Sequence, residues 1–171
     1  MPRAGVRGDV GLHFPNLKKA ILIESITATL RAQLERLARA ALAAHAAATD
    51  PGSKAESKYD TRSLEESYLA TGQARQVKEL AGTLAIFENL AVPDFRAEDA
   101  IDVGALVETL RAGSGEAAWF FLAPAAGGLE VIYGKKLITL LSPESPLYQR
   151  LLGLKVGDAV EHPPLKISKV R

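Results

Sequence analysis

The sequence of 171 residues contains no cysteine, one tryptophan and one methionine, and only 6% of its residues are aromatic. Without cysteine the chain has no disulfide, no thiolate ligand for zinc and no cysteine nucleophile. Its 21 Lys and Arg against 20 Asp and Glu leave a net charge of +1, which argues against direct, non-specific binding to nucleic acid. No apolar run reaches the roughly 18 residues that a membrane-spanning helix needs, so we expect no contact with a membrane.

The prolines divide the first half of the chain. After Pro15 the next prolines are Pro51 and Pro93, and both intervals are rich in helix formers. Pro51 is followed by Gly52, which is a turn signal. Two helical arms of similar length around one turn predict a helical hairpin. The predicted parts are a flexible tail (1–15), a hairpin (16–92) with its tip near 49–57, and a second domain (93–171).

In each arm, apolar residues spaced alternately by three and four follow one face of the helix, which is typical of a coiled coil. Because a turn joins the two arms, this coiled coil would be antiparallel. The apolar residues are Leu30, Leu34, Leu37, Ala41, Ala44 and Ala48 in the first arm, and Val77, Leu80, Leu84, Phe87 and Ala91 in the second. Near the turn these positions are alanine, so we expect a hairpin that is thinner towards its tip. The alternative is that alanine is abundant there only because it favours helix.

Past Pro93 glycine and proline become frequent and short alternating segments appear. The predicted strands are 101–110, 117–123, 129–141 and 165–170. Between the last two, Ser145 is an N-cap candidate, Pro146 suits the first helical position and Gly153 suits a left-handed C-terminal position. The sequence therefore predicts an α+β protein, in which a coiled-coil hairpin precedes an antiparallel sheet with one short helix.

Two segments resemble the Gre family of bacterial transcript-cleavage factors. Ser145-Pro146-Leu147, Leu151-Leu152-Gly153 and Lys155-Val156-Gly157-Asp158 are similar to the family's Ser-Pro-Leu … Leu-Leu-Gly-Lys-Lys-Val-Gly-Asp signature. Glu56-Ser57-Lys58-Tyr59-Asp60 is similar to its Glu-Asn-Ala-Glu-Tyr segment. The resemblance covers residues 16–171.

The resemblance implies a function and a partner. In this family the C-terminal domain is FKBP-like and docks on RNA polymerase, here through Ser145, Pro146 and Leu147. The coiled coil enters the secondary channel of the polymerase, where its acidic tip helps to hold Mg²⁺ while the polymerase cleaves backtracked RNA. The resemblance thus implies a cytoplasmic transcription elongation factor that is not itself an enzyme and that meets the RNA 3′ end only indirectly. Because the second arm satisfies the apolar face of the first, we expect a monomer.

Asp50 and Glu56 flank the predicted turn and are the candidates for the tip carboxylates and for a shared Mg²⁺, which prefers oxygen ligands. The family carries two acidic residues three positions apart before the aromatic residue. Counted without gaps, those places fall on Gly52 and Ala55; shifted by one, they fall on Ser53 and Glu56. This departure leaves two functions open, stimulation of RNA cleavage or channel binding without it. Alternatively, both acids only stabilise a turn and a helix end.

Two hypotheses of other classes remain. A prolyl isomerase or chaperone would need an aromatic-lined pocket, and the second half of the chain supplies six candidates: Phe95, Trp119, Phe120, Phe121, Tyr133 and Tyr148. A dimeric coiled-coil scaffold would need an apolar helix face that is not covered within one chain. The three histidines have no metal-ligand spacing.

Overall fold

The computed structural model describes residues 15–49 and 62–171, with the side chains of residues 19–47 and 68–171. Two long helices, α1 (Pro15–Thr49) and α2 (Arg62–Glu88), come first. They are followed by β1 (Leu106–Arg111), β2 (Ala117–Leu122), β3 (Glu130–Tyr133), β4 (Lys136–Leu141), α3 (Pro146–Leu151), β5 (Ala159–Val160) and β6 (Leu165–Val170). No helix in the described ranges has the length and apolar character needed to cross a membrane.

The two long helices pack against each other as the spacing predicts. In α1 the predicted contact positions from 30 to 44 are buried or half-buried, and in α2 those from 77 to 87 are too. The same spacing continues back to Gln73 and Ala70 in α2. The prediction was wrong at Ala91, which is exposed and lies beyond the last residue of α2. The side chain of Ala48 lies outside the described residues.

Burial decreases along the hairpin. At its base, next to the sheet, the fully buried residues are Leu22, Ile26, Leu30, Leu84 and Phe87. Towards the tip, the contact positions are only half-buried and include Ala41, Ala44 and Gln73. The Oε1 atom of Gln73 is buried without a hydrogen-bond partner. Small side chains bury little apolar surface, so most of the packing energy of the described hairpin comes from its base.

The sheet has six strands in the order β3-β4-β2-β1-β6-β5. Four neighbouring pairs are antiparallel, but β2 and β4 are parallel, so the prediction of a wholly antiparallel sheet was wrong at this pair. The predicted strand 129–141 is in fact the β3–β4 hairpin, turned by Gly134 and Lys135, which both have positive φ (53° and 66°). β4 lies between β3 and β2; it runs antiparallel to β3 and parallel to β2.

Other strand boundaries also differ from the prediction. The predicted strand 101–110 begins only at Leu106, because Gly104 has φ +86° and the N–H of Ala105 donates to the Asp102 carbonyl at 3.0 Å. β5 was not predicted, since two residues are too short for a recognisable alternation. The predicted strand 165–170 is confirmed as β6, and the predicted strand 117–123 is confirmed to within one residue as β2.

The sheet forms the middle layer, with a hydrophobic core on each face. On one face, which we call face A, the hairpin base packs on sheet residues that include Trp119, Phe121, Ile138 and Leu140. On the opposite face, face B, α3 packs through Tyr148 and Leu151 on strand residues that include Val107 and Ile167. The α+β class is confirmed, and the base of the hairpin shares a core with the sheet.

Candidate functional site: hairpin and docking segment

The predicted tip carboxylates, Asp50 and Glu56, lie outside the described residues, so their geometry and their role in Mg²⁺ binding stay predictions. Among the side chains that the structure describes, those of residues 19–47 and 68–171, no group of three or more His, Asp or Glu is arranged to hold a metal ion.

The described helices nevertheless show where the tip segment is attached. Leu22 lies in the core of face A, whereas α1 ends at Thr49 and α2 begins at Arg62. At about 1.5 Å per residue, the 27 helical steps between Leu22 and Thr49 span about 40 Å. Both ends of the segment that holds Asp50 and Glu56 are therefore far from the sheet.

The predicted docking residues are contiguous and lie where β4 leads into α3. The N–H of Ser145 donates to the Ser142 carbonyl at 2.8 Å, and Ser145 occupies the N-cap position with φ −76° and ψ 127°. Its hydroxyl makes no capping hydrogen bond, contrary to the usual role of serine at this position. Pro146 is the first residue of α3 and is exposed, and Leu147 is half-buried against the core of face B. The Ser145 hydroxyl and the Pro146 ring are thus not needed for helix capping or for the core.

The end of α3 and the following turn have a clear structural role. Gly153 has φ +82°, as predicted for the left-handed position after α3, and its N–H donates at 2.8 Å to the carbonyl of Ile101, outside α3. The N–H of Lys155 donates to the Asp158 carboxylate at 2.8 Å, and Gly157, with φ +97°, donates its N–H to the Ile167 carbonyl at 2.9 Å. The Lys155–Asp158 part of the family-like motif therefore builds the turn that carries the chain from α3 to β5.

A pair of exposed apolar residues on the β3–β4 hairpin was not predicted. Ile132 and Leu137 are directly opposite each other and are 73% and 53% exposed. Their neighbours Val131 and Ile138 point into the core of face A, so alternation places Ile132 and Leu137 on the side of face B. The alternating pattern of 129–141 was visible in the sequence, but its division into two paired strands was not.

A charged cluster surrounds Trp119. The Glu108 carboxylate lies 2.6 Å from the Lys169 ammonium and accepts a hydrogen bond from Ser168 at 2.9 Å. The Lys136 ammonium lies 3.6 Å from the centre of the Trp119 ring. Burial raises the pKa of the Glu108 carboxyl, but the hydrogen bonds from Lys169 and Ser168 and the charges of both lysines outweigh burial and leave that pKa below its usual value. The cluster thus stabilises a buried carboxylate within the sheet.

The aromatic residues do not meet in a single place. Trp119 and Phe121 belong to the core of face A, whereas Tyr148, Phe95 and Phe120 pack on face B. The sheet separates the two groups, so these five side chains cannot line one common pocket.

Three solved structures are similar to the chain at low identity. GreA factor homolog 1 (Gfh1) of Thermus thermophilus shares 21% identity with a TM-score of 0.34, covering 85% of this chain and 94% of that protein. A structure described as the transcription factor Gfh1 shares 18% with a TM-score of 0.35, covering 86% and 94%. Thermus aquaticus Gfh1 shares 17% with a TM-score of 0.34, covering 84% and 92%. No family model matches the sequence, and no curated protein matches it. Likenesses at this level carry no argument about function.

Proposed function

We propose that the protein is an accessory factor of bacterial RNA polymerase that docks through its sheet domain and inserts its hairpin into the secondary channel. The observation that carries the proposal is the shape of the hairpin. The base is held in the core of face A, and α1 continues about 40 Å from Leu22 to Thr49, where the contact residues change from Leu34 and Leu37 to Ala41 and Ala44. The outer part of the hairpin, where Ala41 and Ala44 are the contact residues of α1, adds little to stability, so a role in reaching a narrow, distant site explains it better than packing does.

Support for docking comes from the segment between β4 and α3. Ser145, Pro146 and Leu147 match the Gre-family motif, and the exposed Pro146 and the uncommitted Ser145 hydroxyl are free to contact a partner. The proposal assigns these three residues to the contact with RNA polymerase. The protein has no catalytic residues of its own under this proposal, because the reaction occurs in the active site of the polymerase.

At the tip, we assign Asp50 and Glu56 to stabilising Mg²⁺ in the polymerase active site during hydrolysis of backtracked RNA. A carboxylate supplies the hard oxygen ligand that Mg²⁺ prefers, and Mg²⁺ in such sites keeps several waters. The second candidate function keeps channel binding but removes the cleavage activity. The specific observation that favours it is the altered spacing, which places Gly52 and Ala55, or Ser53, where the family has acids.

A stalled, backtracked elongation complex distinguishes these two functions. We expect the protein to accelerate RNA cleavage over polymerase alone, and Asp50→Asn with Glu56→Gln to abolish the acceleration while binding is retained. The matched control is Glu35→Gln, which removes an exposed acid from the described part of α1 and should leave the cleavage rate unchanged. If the protein binds the complex but slows elongation without accelerating cleavage, the second function is correct. If it does not bind polymerase, both are wrong.

The docking segment can be tested separately by binding. Pro146→Glu places a charge at the proposed contact, and glutamate is well tolerated in the first turn of a helix. Ala159→Glu adds the same charge at another exposed position of the sheet domain and is the control. We expect Pro146→Glu to weaken binding to RNA polymerase and Ala159→Glu to leave it unchanged. Equal binding by both variants would remove the 145–147 segment from the interface.

A further inference from the structure

A buried lysine joins three separate segments at the base of the hairpin. Lys19, in the first turns of α1, is only 5% exposed. Its ammonium donates to the Pro93 carbonyl at 2.5 Å and to the Gly104 carbonyl at 3.1 Å, and it lies 4.6 Å from the centre of the Phe95 ring. We call Lys19, Pro93, Phe95 and Gly104 the Lys19 junction. It connects α1 with the segment that leaves the hairpin and with the turn that precedes β1.

The partners of the ammonium are themselves fixed in place. Gly104 donates its N–H to the Leu122 carbonyl of β2 at 2.7 Å, which ties it to the sheet. A Cβ at Gly104 would lie 2.9 Å from Cδ of Pro93, so the two acceptor residues are in close contact. The Lys19 ammonium is therefore directed at two backbone carbonyls, one of which is tied to β2, rather than at a side chain that could follow its movement.

Stability is a poor explanation for a lysine at this position. Burying an ammonium is costly, and an apolar side chain of similar length would avoid that cost. The hairpin already has a large apolar contact with face A, to which Leu22, Ile26 and Phe87 contribute. That contact is non-directional, because apolar burial depends on area and not on angle. Hydrogen bonds to two carbonyls, in contrast, depend on direction.

We propose that Lys19 is a positioning residue, whose hydrogen bonds to the Pro93 and Gly104 carbonyls fix the angle between the hairpin and the sheet. The angle matters because the hairpin is long. With about 40 Å between Leu22 and the end of α1, a rotation of about 10° at the base moves that end by about 7 Å. This proposal concerns the geometry of the chain alone, so it does not depend on the function proposed above.

We expect the junction to keep both hydrogen bonds in either charge state of Lys19. Burial lowers the pKa of the Lys19 amine from 10.5 to about 8. The negative charge of the Asp94 carboxylate acts in the opposite direction and raises the pKa of Lys19, but by less than burial lowers it. A neutral amine still has two N–H donors, which suffice for the two carbonyls. We therefore expect the angle between the hairpin and the sheet to persist above pH 8, because it depends on the two hydrogen bonds and not on the positive charge of Lys19.

The angle can be measured by the distance between two spin labels. The chain has no native cysteine, so labels can be attached at Ala43→Cys in the outer part of α1 and Glu161→Cys beyond β5, both of which are exposed. Lys19→Met keeps an apolar side chain of similar length but removes the donors. We expect it to broaden or shift the distance distribution relative to the labelled parent, while circular dichroism shows the same helix content.

Two further variants make the experiment decisive. Lys78→Met makes the same substitution at an exposed position of α2 and should leave the distribution unchanged. Gly104→Ala leaves α1 unchanged but adds a Cβ 2.9 Å from Cδ of Pro93, which pushes the two acceptor residues apart; it should broaden or shift the distribution. If the folded Lys19→Met protein has the distribution of the parent, apolar packing alone fixes the angle and the proposal is overturned. If Lys19→Met does not fold, an unchanged distribution for Gly104→Ala overturns it.

Discussion

Replacing Phe87 by alanine tests whether the hairpin and the sheet are stabilised by one core. Phe87 is 1% exposed and belongs to the largest fully buried side chains of the described chain. It lies in the last turn of α2, at the base of the hairpin, and packs in the cluster that contains Trp119, Phe121 and Ile138 of the sheet. Loss of this ring should leave a cavity on face A that both halves of the molecule line.

The expected loss of stability is large. Truncation of a buried phenylalanine to alanine typically costs about 3–5 kcal/mol, from lost burial together with the cavity. A domain of ordinary stability has about 5–15 kcal/mol in total, so the variant should fold but unfold at much lower denaturant. The matched control is Ile86→Ala, which changes the preceding residue of the same helix, where the side chain is 44% exposed. We expect the control to lose less than about 1 kcal/mol.

Two probes report on the two halves during unfolding in urea. Far-ultraviolet circular dichroism follows mainly the long helices, and fluorescence follows Trp119, the only tryptophan of the chain, which lies in β2. If the core is shared, Phe87→Ala should shift both transitions to lower urea by the same amount, because the loss acts on one cooperative unit. A shift of the helix signal alone, with the Trp119 transition unmoved, would refute the shared core.

Three further predictions concern ionisable groups and a glycine. The pKa of Lys19 is about 8 in the folded protein and 10.5 in the unfolded chain, so the unfolded chain binds more protons between pH 8 and pH 10.5. The free energy of unfolding should therefore rise with pH in this range, by at most about 1.4 kcal/mol per pH unit. Lys19→Met should lack this rise in urea titrations, and a parallel rise in both proteins would contradict the assignment. The pKa of Glu108 is lowered below 4.5, so its stabilisation is lost as the pH falls through that lowered value; Glu108→Gln should make acid unfolding less steep, and an unchanged steepness would contradict the role of the Lys169 pair. Gly104→Ala should destabilise the protein more than Gly153→Ala. Both glycines have positive φ, which costs alanine about 1–2 kcal/mol, but only at Gly104 would the new Cβ also clash with Pro93. Equal decreases in melting temperature would show that Pro93 moves aside without cost.

Part of the candidate site was predictable because it is contiguous. Ser145, Pro146 and Leu147 are neighbours in the chain, and the start of α3 follows from residue preferences at a helix terminus. The exposed pair Ile132 and Leu137 was not predictable, since it exists only when β3 and β4 fold back on each other. The spacing of the tip acids can be read from the sequence, but whether Asp50 and Glu56 act together depends on their positions in space.

Features that repeat over short distances could be predicted from the amino-acid sequence. The three-and-four spacing specified the helix pair, and the left-handed position of Gly153 and the strand of β6 followed from local preference. The tertiary structure alone decided the parallel pairing of β2 with β4, the shared core around Phe87 and the junction at Lys19. These features join segments far apart in the chain, and which distant segments meet depends on the packing of the whole molecule rather than on local spacing.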